Sequence, residues 1–89
     1  MQQLTYTAQL LKEDDTYVAY APELDVSSCG DSPDIARHAL QEAVTLFLEE
    51  AQRSGTLHTI LSEAGYRERG GRWEPPEFIG FERTALAFS

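Results

Sequence analysis

The chain has 89 residues, 42% apolar and 25% charged, with a net charge of -8, the size and composition of one small globular domain spanning residues 1–89. Folding at this length buries roughly 64% of the unfolded surface, which excludes a generous core and makes self-association an expected source of extra stability. One cysteine, Cys29, excludes an internal disulfide; together with polar Gln2 and Gln3 after Met1 and the lack of a long apolar run, it leads to the expectation of a cytoplasmic protein.

From Leu4 to Leu10 apolar side chains fall at every second position (Leu4, Tyr6, Ala8, Leu10), the period of a half-buried strand. The polar run Lys12, Glu13, Asp14, Asp15 predicts a turn, and Tyr17 to Ala21 a second strand that Pro22 ends. After the acidic loop Glu23, Leu24, Asp25, a third short strand is expected over Val26 to Cys29, closed by Gly30 and Asp31. Ser32 and Pro33 read as an N-cap and first helical residue, with Asp34 at the positive end of the helix dipole. Ile35, Ala36, Ala39, Leu40, Ala43, Val44, Phe47 and Ala51 recur at helical spacing, and Gly55 supplies the terminator. Leu46 and Leu48 lie off that stripe and widen the apolar arc. A shorter helix is predicted from about Thr56 to Ala64, then a turn-rich hairpin or loop around Trp73, and finally a strand over Phe78 to Phe88. The fold class expected is α+β: a three-stranded antiparallel meander, a long helix, a short helix and a C-terminal strand.

The charge is unevenly placed. Residues 1–50 contain ten acids against Lys12 and Arg37 and so carry the whole -8, whereas five Arg and five Glu balance in residues 51–89. An acidic front half repels phosphate and attracts basic partners.

The segments Tyr17-Val18-Ala19, Pro22-Glu23-Leu24, Gly30-Asp31-Ser32 and Ala36, with Glu42-Ala43 leading into Leu46-Phe47-Leu48-Glu49, resemble in order and spacing the HicB-like antitoxin family. The resemblance covers about a third of the chain. It implies a partial RNase H-like fold and a non-catalytic role, neutralising a small basic HicA-type toxin that cleaves messenger RNA. It also marks a difference: longer HicB antitoxins carry a C-terminal helix-turn-helix or ribbon-helix-helix module, and nothing after Phe88 could supply one, so direct DNA binding is not expected. An orphan relative, oligomeric and without a toxin, is the alternative reading.

Candidate sites follow from residue chemistry. Two-metal nucleases need converging carboxylates, but Asp14 and Asp15 fall in a turn, Glu23 and Asp25 in a loop and Glu42 on a helix, so neither catalysis, metal nor cofactor is expected. Glu23, Asp25 and Glu42 are the expected partner-binding residues. His38 and His58 lack neighbours at metal-ligand spacing, and Cys29 at a strand end reads as a small buried hydrophobe rather than a nucleophile paired with His38. Arg67, Arg69 and Arg72 with Tyr66 and Trp73 combine cations with aromatics, yet Glu68 and Glu74 interrupt them, and packing of the two rings is favoured. Leu46, Leu48, Phe78 and Phe88 are the expected contacts of a homodimer or tetramer.

Overall fold

The computed structural model describes all 89 residues and is an α+β arrangement of two helices and six strands in two small sheets. Strands β2 (Gln9–Glu13), β3 (Thr16–Ala21) and β4 (Val26–Gly30) form the antiparallel meander, in the order β2-β3-β4. Long helix α1 (Pro33–Arg53) and short helix α2 (Leu57–Glu63) follow. A second sheet takes β1 (Gln3–Leu4) beside the hairpin β5 (Arg67–Arg69) and β6 (Arg72–Glu74), in the order β1-β6-β5.

The meander register places Leu10 opposite Ala19 and Ala19 opposite Ser28, with Tyr17 opposite Gly30 and Ala21 opposite Val26. Alternation therefore turns Ala19 and Ala21, both fully buried, toward α1, and Leu11, Val18, Tyr20 and Cys29 to the other face. Alanine on β3 lets the helix approach closely, and Ala36, Leu40 and Val44 fill the contact at i, i+4 and i+8. Leu24, Leu61, Tyr66 and Trp73 complete the core cluster. Only ten of 89 residues are buried, so the core is thin.

Both ends of α1 follow local chemistry. The Ser32 hydroxyl accepts from the Ile35 backbone N–H at 3.1 Å, Pro33 occupies the first turn, and Asp34 pairs with Arg37. At the C-terminus the Thr56 N–H donates to the Ala51 carbonyl and the Gly55 N–H to Gln52, the paired bonds of a Schellman motif around Gly55 at φ 74. Helix α2 repeats this: the Tyr66 N–H donates to Leu61 and the Gly65 N–H to Ser62. Gly65 has φ 93, and a Cβ there would stand 3.3 Å from the Pro76 ring, so this position needs glycine twice over.

Three sequence expectations are corrected. Leu4 to Leu10 is not one strand. Leu4 belongs to β1, which runs parallel to β6, and β2 begins only at Gln9. Between them, side chains capture the backbone: the Thr7 N–H is held by the Glu23 carboxylate and the Thr5 carbonyl by the Tyr66 hydroxyl. The turn is shorter than Lys12–Asp15, because Lys12 and Glu13 pair with Tyr17 and Thr16, leaving Asp14 (φ 55) and Asp15 at the tip. Third, Phe78 to Phe88 forms no strand; residues 75–89 contain no helix or strand. Pro75 and Pro76 remove two backbone donors, and no sheet edge of the same chain receives the segment. The turn-rich connector resolves into the β5–β6 hairpin, whose two-residue Gly70-Gly71 loop has positive φ at both positions.

Candidate functional site

The meander has two ends, and its loops divide the acidic residues between them. At one lie the β2–β3 tip (Glu13, Asp14, Asp15) and, by the Tyr17–Gly30 pairing, Asp31. At the other lies the β3–β4 loop, Pro22 to Asp25. Glu42 and Glu49 stand exposed on α1. Of the ten acids in residues 1–50 only Asp34 and Glu50 form ion pairs, each with the arginine three residues on. The other eight have no basic partner, so the negative charge of the meander and helix is not neutralised within the chain.

The three expected partner-binding residues are not equivalent. Glu23 is half-buried and turned inward, its carboxylate accepting from the Thr7 backbone N–H at 3.0 and 3.2 Å and from the Thr7 hydroxyl at 2.7 Å. It anchors the irregular segment between β1 and β2. Asp25 is exposed at φ 55 and accepts from the Tyr20 hydroxyl at 3.0 Å; that hydrogen bond to a carboxylate raises the Tyr20 phenol above its ordinary value. Glu42 is exposed beside a shallow depression formed with His38, Gln41, Thr45 and Leu46. Asp25 and Glu42 thus present free negative charge, whereas Glu23 is engaged in the fold.

Tyr66 holds the same irregular segment two residues earlier. Its hydroxyl donates to the Thr5 carbonyl at 2.8 Å, and burial, with a contribution from the Glu23 charge, pushes the phenol well above its ordinary value. Trp73 donates its indole N–H to the Gln2 side chain at 2.7 Å and meets the His58 ring edge-on at 5.4 Å. Tyr66 and Trp73 are 4% and 5% exposed, so their rings are core and are not presented for stacking on nucleotide bases. Arg69 is paired with Glu74 at 3.3 Å.

Cys29 differs from expectation. It is exposed, because its register opposite Val18 turns it away from α1. The sheet therefore stands between its sulfur and His38 on the helix. No group of three or more His, Cys, Asp and Glu side chains is arranged to share a metal ion, and no helix is long and apolar enough to cross a membrane.

The four residues expected at an oligomer contact do not share one patch. Leu46 is 66% exposed, but Leu48 lies about 200° further around the helix. There it packs on the core and lines an open groove with Leu4, Leu57, Leu61 and Trp73. Phe78 and Phe88 stand on the C-terminal segment, 56% and 94% exposed. Sequence periodicity did not distinguish Leu46 from Leu48, and the Thr7–Glu23 lock had no signal beyond the residue types. Comparison of the chain with family profiles, with curated proteins and with solved structures finds no match in any of the three.

Proposed function

We propose that this protein is a non-catalytic, HicB-like antitoxin that covers a small basic RNA-cleaving toxin of HicA type with its acidic surface. The observation that carries the reading is a set of seven exposed acids without ion-pair partners, displayed on the meander and long helix, the elements that contain the stretch of resemblance from Tyr17 to Leu48. Such a surface accelerates encounter with a basic protein and repels the phosphates of the toxin's own substrate. Asp25 and Glu42 are the contact residues on this proposal, and Glu23 contributes by shaping the loop that holds Asp25.

The test is binding to the product of a neighbouring small basic reading frame, measured by co-purification and titration calorimetry at two salt concentrations. Affinity falls with salt, and the Asp25→Lys/Glu42→Lys variant loses about tenfold or more at low salt while keeping its fold. Unchanged affinity in that variant overturns the assignment of the surface. A second reading, an orphan interaction protein whose main property is self-assembly, is favoured by the exposed apolar residues of the C-terminal segment.

A further inference from the structure

The segment after Pro76 is the least satisfied part of the molecule. Pro76 and Phe78 rest beside Ala64 and Gly65, and beyond them the chain makes no strand or helix. Ile79, Phe81, Leu86 and Phe88 are 82–94% exposed. The radius of gyration is 15.1 Å, against about 12 Å for a compact chain of this length, in keeping with a projecting arm.

The same chain offers one poorly guarded sheet edge. The free edge of β2 carries Lys12 and Glu13, β5 consists of Arg67, Glu68 and Arg69, and β1 has only two residues. Strand β4, Val-Ser-Ser-Cys-Gly, has neither charge nor proline, and the outer backbone groups of its five residues have no partner. Edges of that composition accept another strand. The arm contains Thr84-Ala85-Leu86-Ala87-Phe88, five uncharged residues that alternate large and small.

We propose that residues Thr84–Phe88 of one copy add antiparallel to the β4 edge of a second copy, reciprocally, making each meander four-stranded. This deepens the self-assembly reading above and does not depend on a toxin partner. Antiparallel pairing centred on Leu86 opposite Ser28 sets Phe88 opposite Val26 and Ala85 opposite Cys29, placing the large side chains on the α1 side of the sheet and the small ones on the open side. From Pro76 to Thr84 the chain reaches about 28 Å, comparable with the shorter dimensions of the molecule, 29 and 22 Å. The five large apolar residues from Phe78 to Phe88 expose about 800 Å2 per arm. Covering half of that on two arms, with matching area on the hosts, removes about 1,600 Å2 from water, the size of a standard stable interface.

The native Cys29 supplies the reporter. The full-length Ala85→Cys variant is oxidised at micromolar concentration and run without reductant, with Ile79→Cys as control and peptide mapping to locate the bond. In parallel, light scattering compares the unmodified protein with the Leu86→Asp/Phe88→Asp variant. Arm exchange gives a linked dimer joined between positions 29 and 85 and none through Ile79→Cys, a solution mass twice 10.0 kDa for the unmodified chain, and the chain mass for the double variant. A bridge within one chain, or a dimer that persists in the double variant, overturns the exchange while leaving assembly standing. A monomer mass for the unmodified protein overturns both.

Discussion

Removing the Glu23 carboxylate separates its structural role from the role in partner binding that its charge suggests. Glu23→Ala deletes the acceptor of two donors, the Thr7 N–H and the Thr7 hydroxyl. Hydrogen bonds to a charged acceptor contribute about 1.5–3 kcal/mol when buried. Glu23 and Thr7 are half-exposed, so water replaces part of what is lost and the expected destabilisation is about 1–2 kcal/mol. An unfolding entropy of about 0.19 kcal/mol/K for a chain of this length converts that to a fall in Tm of about 5–10 °C. Glu23→Gln keeps one acceptor and loses about half as much. Glu42→Gln removes the same charge from an exposed helix position and shifts stability by at most about 0.5 kcal/mol. The assay is thermal unfolding followed by circular dichroism, with Thr7→Val completing a double-mutant cycle whose coupling isolates the hydroxyl contact. If Glu23→Ala melts within 2 °C, roughly 0.4 kcal/mol, of Glu42→Gln, the carboxylate is not an anchor and the reasoning fails.

Leu40, fully buried between α1 and the meander, loses about 2–5 kcal/mol of stability on change to Ala, read as a lower urea midpoint; a loss under 1 kcal/mol means the cavity collapses or the core is not centred there. Tyr66 makes stability sensitive to alkali. Its folded-state phenol lies above the unfolded value near 10, so the folded state holds its proton longer. The contribution is fully present below about pH 9 and declines as pH rises past about 10, by up to about 1.4 kcal/mol per pH unit. Tyr66→Phe flattens the slope of the urea midpoint above pH 10, and an unchanged slope in that variant refutes the assignment to this residue.

The elements governed by short-range chemistry are legible in the order of residues alone. The α1 start follows from Ser32, Pro33 and Asp34, and its end from Gly55, because caps and left-handed terminators act within a turn of the helix. The β3 and β4 strands follow from Tyr17–Ala21 and Val26–Cys29, and the inward helix face from Ala36, Leu40 and Val44. Much of the acidic surface was likewise visible as charge per segment, although the role of each carboxylate was not. Glu23 and Asp25 are two residues apart and equally charged, yet one anchors Thr7 sixteen residues away and the other faces solvent. Tertiary packing sets that difference, since side-chain direction in a loop depends on what crosses it. It also decided that Leu4 leaves the meander to run parallel with Trp73 and that Cys29 faces outward by register. Phe78 to Phe88 has the composition of a strand, but a strand needs an edge to bond to, and within one chain none reaches it: propensity is local, whereas pairing is a property of the whole fold.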